Sequence, residues 1–225
     1  MALLNEDRIA RFRCRIPGLT SSSISHSQCG QDLFVLSMLC GKRHGTFLEI
    51  GAGCSEDMSN TALLEREFEW RGLGIEINPE HAADYRANRL SPVVITDATT
   101  ADYSQLLAEV GLTDEVIDYA SVDCEPPDNT FKALQQLPWD RLLFRVITFE
   151  HDTYNGGDRV RHASRKYLRE RGYELVVSNM SDQGLDHNYE DWWVHPDLVD
   201  RSLIDKFKAD GTDIKFWEDF WFTKV

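Results

Sequence analysis

The stretch Thr46-Phe47-Leu48-Glu49-Ile50-Gly51-Ala52-Gly53 decides the fold of this chain. Mostly apolar or β-branched residues lead into a turn that contains two glycines. Gly51 permits a tight turn, and Gly53 lets the backbone approach a ligand with no Cβ in the way. The helix expected after the turn would present its free N–H groups and positive dipole end to that ligand. This order predicts a nucleotide-sized site, although a Gly-x-Gly sequence alone also occurs in purely structural turns.

The composition predicts a folded, acidic protein. The chain has 225 residues and a hydrophobic fraction of 42%, which suffices for the core of one large α/β domain, with or without arms. Its net charge is −14, from 24 basic and 38 acidic residues. Because binding to a phosphate backbone needs clustered Lys and Arg, this balance opposes a nucleic-acid partner, although a local basic face is compatible with it.

The cysteines and the apolar runs bear on the location of the protein. The five cysteines are odd in number and form no Cys-x-x-Cys pair, so zinc and thioredoxin-type sites have no support. We interpret them as mostly buried thiols in a reducing cytoplasm. No apolar run approaches the ~18 residues needed to span a bilayer, and the N-terminus lacks the apolar core of a secretory signal. We therefore expect a cytoplasmic protein without a membrane span.

Helical and strand patterns alternate along the chain. The predicted strands cover residues 46–50, 73–77, 93–96, 116–122, 145–149, 173–177 and 190–195, and the predicted helices cover 27–40, 60–71, 103–110, 129–137, 158–171 and 197–208. This alternation predicts an α/β fold, with a doubly wound, mostly parallel sheet and helices on both faces. We interpret residues 1–25 as an N-terminal arm, 26–196 as the sheet domain, and 197–225 as a C-terminal helix and aromatic tail packing on the same domain.

Acidic side chains occur where the predicted strands end. Glu76, Asp97 and Asp123 close three strands, and Glu150 and Asp152 follow the fifth. Ligands of doubly wound sheets bind outside the carboxyl ends of the strands, where these groups would gather. Glu76 lies about 20 residues after the glycine turn, from where a carboxylate accepts from both ribose hydroxyls. Asp97 is placed either to accept from an adenine amino group or to cap the next helix.

The residues after the glycine turn discriminate between two nucleotide ligands. A dinucleotide such as NAD requires a Gly-x-Gly-x-x-Gly turn, and here Glu56 occupies the third glycine position, followed by Asp57. Acidic groups repel a pyrophosphate but suit a ligand that has a positive region and no phosphate. S-adenosylmethionine is such a ligand, because it joins a sulfonium and an ammonium group to adenosine. We expect S-adenosylmethionine as the cofactor, and an NAD-dependent oxidoreductase is the weaker alternative.

Six segments, one of which belongs to the stretch around the glycine turn, form a recognisable set. They are Ser-Gln-Cys-Gly-Gln-Asp-Leu-Phe-Val-Leu from Ser27, Phe-Leu-Glu-Ile-Gly-Ala-Gly from Phe47, Ser-Asn-Thr-Ala-Leu-Leu-Glu from Ser59, Trp-Arg-Gly-Leu-Gly-Ile-Glu-Ile-Asn-Pro from Trp70, Ser-Val-Asp-Cys-Glu from Ser121 and Val-Ile-Thr-Phe-Glu-His-Asp from Val146. In order and spacing, this set resembles the FkbM-type family of class I S-adenosylmethionine-dependent methyltransferases. The family pattern resembles Asp-x-Glu-Gly after the fourth strand. Here Pro126 replaces that glycine, which fixes φ and removes a backbone donor in the loop expected to contact the substrate.

The resemblance implies roles for individual residues. It implies that the methionine moiety of the cofactor is flanked by Glu49, Gly51, Ala52 and Gly53, that the ribose is held by Glu76 and the adenine by Asp97 and Ala98, and that Gln31 and Asn60 lie nearby. Members of the family mostly methylate hydroxyl groups on sugars, glycans or secondary metabolites. The resemblance therefore implies O-methylation of a small-molecule or glycan acceptor.

Methyl transfer to a hydroxyl requires a group that takes up the hydroxyl proton, which a carboxylate or an imidazole within hydrogen-bond reach can do. We predict Asp123 and His151 for this role, with Glu150 as their orienting partner. In one alternative, Asp123, Glu150 and Asp152 hold a Mg²⁺ ion that acidifies the hydroxyl. In another, the chain is a module that binds S-adenosylmethionine or a partner without transferring a methyl group.

Two groups of aromatic and polar residues have open interpretations. Tyr154, Asn155, Trp192, Trp193 and His195 either line the acceptor pocket, where rings stack on sugars, or belong to the core. The run Phe216-Trp217-Glu218-Asp219-Phe220-Trp221-Phe222 either packs on the core or forms an interface between copies of the chain, because an exposed cluster of this size is unusual on a monomer. A homo-oligomer formed through this tail is therefore left open.

Overall fold

The computed structural model describes residues 2–3, 5–182 and 187–222. The strands are β1 (Ala2–Leu3), β2 (Ile24–Ser25), β3 (Thr46–Ile50), β4 (Arg71–Glu76), β5 (Val93–Ile95), β6 (Val116–Val122), β7 (Leu143–Glu150), β8 (Glu174–Ser181), β9 (Glu190–Val194) and β10 (Lys215–Phe216). The helices are α1 (Glu6–Ala10), α2 (Gln31–Met38), α3 (Ala62–Phe68), α4 (Pro79–Asn88), α5 (Tyr103–Glu109), α6 (Pro127–Gln136), α7 (Arg159–Arg169), α8 (Arg201–Phe207) and α9 (Trp217–Trp221). Parts of the predicted arm (residues 1 and 4) and tail (223–225) lie outside the described residues.

The main sheet has eight strands in the order β10-β8-β9-β7-β6-β3-β4-β5. Strand β3, which contains the sequence Thr46–Ile50, pairs in parallel with β4 on one side and with β6 on the other. The strand order therefore reverses beside β3, and its carboxyl end opens into the crevice where doubly wound sheets bind ligands. Strand β9 runs antiparallel to both neighbours, β7 and β8. The predicted mostly parallel α/β sheet is confirmed.

The structure corrects the predicted boundaries at the first two helices. Helix α2 begins at Gln31 instead of residue 27, because Gly30 adopts a left-handed conformation (φ 79°) just before it. Helix α3 ends at Phe68 instead of residue 71, because Glu69 takes the left-handed capping conformation. Gly72 lies within β4, where a Cβ would come within 2.3 Å of the Phe47 ring. Gly72 is therefore required by side-chain packing and does not end a helix.

Helix α4 was not among the predicted helices, although its N-terminal signal is clear. Asn78 accepts a hydrogen bond from the backbone N–H of Glu80 at 2.9 Å, and Pro79 occupies the first helical position. Both features favour a helix start, because the cap oxygen satisfies a free N–H and proline has none to satisfy. Helix α4 packs against β4 and β5 and covers the sheet behind the glycine turn.

Buried apolar residues form one core on each face of the sheet. One core contains the residues of α2, α3 and α8, and the other contains those of α5, α6 and α7. Side chains alternate between the two faces of a strand, so successive residues of β9 pack in different cores. Trp192 packs in the core that contains α2, and Trp193 packs in the core that contains α5. Both indole rings are fully buried, so they belong to the core and not to an acceptor pocket.

The C-terminal tail packs on the core. Phe220, Trp221 and Phe222 are all buried, and the Trp221 ring lies 6.2 Å from that of Trp192. The indole Nε1 of Trp221 donates to the carbonyl oxygen of Cys29 at 2.9 Å, directly before α2. These three aromatic side chains are covered by their own chain, which supports the core interpretation of the tail over the interface.

The N-terminal arm is held against this tail. Phe12 forms an isolated bridge with Phe222, and the Arg13 guanidinium lies 4.3 Å from the centre of the Phe220 ring. Among the described residues, no helix has the length and apolar character needed to cross a bilayer. All five cysteines are free; Cys29 is buried and Cys40 is exposed, so burial of the thiols holds only in part.

Candidate active site

A cavity of about 750 Å³ opens at the carboxyl ends of β3, β4 and β6. Eleven of the predicted site residues line it: Gln31, Glu49, Gly51, Ala52, Gly53, Asn60, Glu76, Asp97, Ala98, Asp123 and Glu150. Their positions in sequence are far apart, so the parallel sheet brings them together. His151 and Asp152 are not among the residues that line the cavity.

The two glycines of the turn serve different purposes. Gly51 has φ 77°, and a Cβ on it would lie only 1.6 Å from the carbonyl oxygen of Asp123. The turn therefore packs directly on the backbone after β6. Gly53 has φ 58°, but no atom of the described residues, apart from its two chain neighbours, lies within 4 Å of its would-be Cβ. Because Gly53 borders open cavity, it leaves room there for a ligand to approach the backbone.

The loop after Gly53 differs from a phosphate-binding turn. Helix α3 begins only at Ala62, and the N–H groups before it are already occupied. The backbone N–H of Asn60 donates to Glu49 at 3.2 Å, and those of Thr61 and Ala62 donate to the Ser59 hydroxyl. The next two residues of the helix, Leu63 and Leu64, do not line the cavity. The expectation that this helix offers free N–H groups to the ligand is therefore wrong.

The carboxylate of Glu76 is fixed by the backbone on both sides. One oxygen accepts from the N–H of Gly53 and the other from the N–H of Asn78, each at 2.7 Å. The side chain is 7% exposed and borders the cavity. Each carboxylate oxygen has a second lone pair, so Glu76 can accept from ligand hydroxyls while it holds the glycine turn in place.

The residues after β5 form the rim of the cavity. Asp97 is exposed, and one of its oxygens accepts from the N–H and hydroxyl of Thr99, at 2.8 and 2.7 Å. These bonds lower the pKa of Asp97. Asp97 therefore stabilises a local turn as well as bordering the cavity, so both proposed roles are compatible with its position. Ala98 beside it is buried, and its carbonyl oxygen accepts from the Tyr103 hydroxyl at 2.9 Å.

Buried polar side chains at the floor of the cavity hold one another in place by hydrogen bonds. Glu49 accepts from the Thr61 hydroxyl at 2.7 Å, and burial raises its pKa. Asn60 donates its amide to the Ser121 hydroxyl at 2.9 Å, while its Oδ1 is buried and lacks a hydrogen-bond partner. Because an unpaired buried acceptor is costly, the Asn60 oxygen is suited to accept from a bound ligand.

Gln31 joins the cavity to a carboxyl group behind it. Its Oε1 accepts from the N–H of Cys29 at 2.8 Å, and its Nε2 donates to Glu190 at 2.7 Å. Glu190 also accepts from the indole N–H of Trp192 at 2.9 Å. Gln31 therefore contributes to the cavity wall in a fixed orientation, as the first residue of α2.

Replacing Glu190 with Gln should make stability less dependent on pH. Burial raises the pKa of Glu190 to about 8, so below that pH the folded chain keeps a proton that the unfolded chain releases at the ordinary carboxyl pKa. The free energy of unfolding of the unsubstituted chain therefore falls as pH rises through this window, by on the order of a few kcal/mol from this group. Denaturant unfolding from about pH 5 to about pH 8 should show a smaller fall in the variant. Equal falls in the two proteins would contradict the assignment.

Asp123 and Glu150 form a carboxyl pair at the cavity wall. Their side chains are hydrogen-bonded to each other. Burial raises the pKa of Asp123 to about 6, and burial together with the charge of Asp123 raises the pKa of Glu150 well above its usual range. Burial and the mutual repulsion of the two carboxylates therefore favour a pair that shares a proton. Glu150 lines the cavity beside Asp123, and its role as the orienting partner stays a prediction.

His151 does not lie beside this pair in the cavity. Its imidazole is fully buried, with Nε2 3.5 Å from Oδ1 of Asp191, whose carboxylate is held by Arg165 at 2.6 and 2.7 Å. Side chains at the end of a strand alternate between faces, so Glu150 and His151 point to different sides. The structure thus contradicts the placement of His151 as a group that shares the acceptor's proton.

The carboxyl groups near Asp123 are not arranged as metal ligands. Within the described ranges, no group of three or more His, Cys, Asp or Glu side chains could hold a metal ion. Asp152, the third predicted ligand, is 1% exposed and does not line the cavity, and its side chain contacts those of Glu150 and Tyr154. A shared proton between Asp123 and Glu150 also competes with a cation for the same oxygens. The geometry therefore does not support the Mg²⁺ alternative.

Sequence reasoning missed the residues that β9 and the segment before it bring to the cavity. Tyr189 and His187 line the cavity, and Glu190 stands opposite Glu150 in the β7–β9 register. The pattern of β9 predicted a strand but not its neighbour. Only the pairing of β9 with β7 reveals that these residues adjoin the carboxyl pair. Tyr154 also lines the cavity, with its ring 4.6 Å from that of His187.

Comparison with known proteins shows a likeness in structure. No family model and no curated protein matches the chain. The chain is similar to M. capricolum TrmK, solved in complex with the natural cofactor product S-adenosyl-homocysteine, with a TM-score of 0.53 and 9% identity over 85% of this chain and 77% of that one. Weaker likenesses, to Aeropyrum pernix fibrillarin with bound S-adenosyl-L-methionine and to the METTL16 methyltransferase domain, have TM-scores of 0.45 and 0.49, both at 16% identity. The fibrillarin match covers 68% of this chain and 67% of that one, and the METTL16 match covers 86% and 92%.

The sheet order, the antiparallel β9 and the likeness to TrmK together define the fold. It is the Rossmann-like fold of class I methyltransferases. At this level of identity the likeness establishes the fold alone, because one fold serves many functions. Function has to be argued from the cavity.

Proposed function

We propose that the protein is an S-adenosylmethionine-dependent methyltransferase that methylates a hydroxyl on a sugar, glycan or secondary metabolite. The observation that carries this proposal is the juxtaposition of Glu76 and the Asp123–Glu150 pair in one cavity at the end of β3. Glu76 supplies a fixed acceptor for a ribose, and Asp123 supplies a base a short distance along the same wall. The choice of hydroxyl acceptors rests on the resemblance to the FkbM-type family, which is itself part of the proposal.

The residues present fit S-adenosylmethionine better than a dinucleotide. Glu76 would hold the ribose, Asp97 with Ala98 the adenine, and the glycine turn with Glu49, Gln31 and Asn60 the methionine moiety. The orphaned Oδ1 of Asn60 requires a donor, which an ammonium group provides. The loop after Gly53 brings the carboxylate of Asp57 to the cavity, and the N–H groups of Thr61 and Ala62 are occupied by Ser59, so this loop disfavours a pyrophosphate.

The carboxyl pair accounts for the proton of the acceptor. When bound, S-adenosylmethionine supplies the methyl group, whose bond to sulfur breaks as the bond to the acceptor oxygen forms. Asp123 is ionised above about pH 6 and can take the hydroxyl proton. Glu150 stays protonated, and its O–H donates a hydrogen bond to the carboxylate of Asp123. This hydrogen bond fixes the orientation of the base. The cavity walls hold the acceptor against the methyl group, and this positioning contributes to the rate.

Replacing Gly53 with Ala should weaken cofactor binding by about tenfold or more, because the new methyl group would occupy the space of the ligand. The matched control is Gly111→Ala. Gly111 also has a positive φ and no atom within 4 Å of its would-be Cβ, but it follows α5 away from the cavity. Both variants should lose about 1 kcal/mol of stability from backbone strain. Titration with S-adenosylhomocysteine checks this, and equal affinities in the two variants would contradict the placement of the ligand at Gly53.

The proposed activity is tested by incubation with methyl-labelled S-adenosylmethionine and a panel of sugars, glycosides and hydroxylated metabolites. Transfer of the label to a hydroxyl is the expected result, and it should persist in EDTA because the carboxyl pair acts without a metal. Cofactor binding without transfer to any acceptor would favour a binding module on the same fold.

A further inference from the structure

The cavity has an unusual charge for a site that must admit two ligands. Seven of the residues that line it are acidic: Glu49, Asp57, Glu76, Asp97, Asp123, Glu125 and Glu150. In the part of the chain that the structure describes, the lining contains no Lys or Arg. Among the described residues that line the cavity, only the side chains of His81 and His187 can carry a positive charge near neutral pH.

The acidic residues extend beyond the end that the cofactor would fill. Glu76 and Asp97 lie where its ribose and adenine are expected, whereas Asp123, Glu125 and Glu150 line the cavity at and just after the ends of β6 and β7. Glu125 is exposed and lies two residues after Asp123, and both residues line the cavity. The net charge of S-adenosylmethionine is about one positive unit, which does not neutralise this wall. An acceptor that carries a phosphate or a carboxylate would be repelled.

An aromatic side chain of the cavity lining also favours a positively charged ligand. At the mouth, Tyr154 is 52% exposed and presents an aromatic ring next to the carboxyl groups. Acceptor oxygens, carboxylates and an aromatic face are the groups that recognise a protonated amine.

We propose, on the basis of the methyl transfer proposed above, that the acceptor is a cationic small molecule that carries a protonated amine near the hydroxyl to be methylated. The amine lies among Asp123, Glu125 and the ring of Tyr154. The hydroxyl lies against Asp123, which takes its proton as the oxygen gains the methyl group. An amino sugar has this chemistry, whereas a nucleotide, a sugar phosphate or a uronic acid does not.

The test uses S-adenosylmethionine with a deuterated methyl group and the small-molecule extract of the organism that encodes the chain. Mass spectrometry identifies the labelled product, and ion exchange at neutral pH gives its charge. Retention of the labelled product on a cation exchanger is the expected result. A labelled product that is neutral or anionic would overturn the inference and leave the methyltransferase intact. Absence of label from every fraction would contradict the methyl transfer and, with it, this inference.

A charge variant gives a second readout. Glu125→Gln removes one negative charge beside the proposed amine, so the rate at limiting extract should fall by about three- to tenfold. The matched control is Glu115→Gln, an exposed glutamate just before β6, at the opposite edge of the sheet. The control should behave as the unsubstituted enzyme does. Equal rates for the two variants at limiting extract would contradict the inference.

Discussion

Asp123→Asn should lower methyl transfer by about 10²- to 10⁴-fold while S-adenosylhomocysteine binds with nearly unchanged affinity. The amide is close in size to the carboxyl group and still accepts the hydrogen bond from Glu150, so the cavity keeps its shape. It cannot take up the proton of a hydroxyl. The measurement is a single-turnover rate with saturating cofactor and acceptor, together with a calorimetric titration of each protein.

The pH dependence provides a second readout of the same assignment. The pKa of Asp123 is raised to about 6 by burial, and only the ionised form acts as a base. The maximal rate of the unsubstituted enzyme should therefore rise with pH through this value and level off above it. The residual rate of the Asp123→Asn variant should lack this step. Turnover of the variant near that of the unsubstituted enzyme would sink the assignment of Asp123 as the base.

Glu76→Ala should weaken cofactor binding by about 100-fold, because two charge-assisted hydrogen bonds to the ribose are lost. The substitution also removes the acceptor of the Gly53 N–H, so a control is needed for the effect of a disturbed loop on binding. Asp84→Ala is the matched control, since Asp84 accepts from the N–H of Ser55 in the same loop at 2.7 Å but does not line the cavity. Titrations with S-adenosylhomocysteine should show a small change for Asp84→Ala. Similar losses in both variants would mean that Glu76 acts only through the loop.

The sequence was sufficient to predict the sheet and the part of the site that depends on it. Strand β6 has the predicted bounds of residues 116–122, because its apolar run is bounded by acidic residues on both sides. The acidic residues at the strand ends converge as expected, since parallel strands place their carboxyl ends along one edge. Glu76 is the last residue of β4, and Asp123 directly follows β6. Their positions could therefore be predicted once these two strands were predicted.

Features that depend on tertiary pairing could not be predicted. The sequence did not show that β9 lies beside β7, and therefore that Glu190 faces Glu150. The helix after the glycine turn was expected too early because Asn60 resembles a cap, whereas its N–H is bound to Glu49 across the loop. His151 was misplaced because the alternation of side chains beyond the end of β7 was not followed.

The central claim is that the cavity at Gly51 and Gly53 binds S-adenosylmethionine and not a dinucleotide. Calorimetric titration of the unsubstituted chain with S-adenosylhomocysteine, and separately with NAD, tests this claim most directly. We predict one S-adenosylhomocysteine bound per chain, greatly weakened by Glu76→Ala, and no heat from NAD. Binding of NAD together with no binding of S-adenosylhomocysteine would contradict the account.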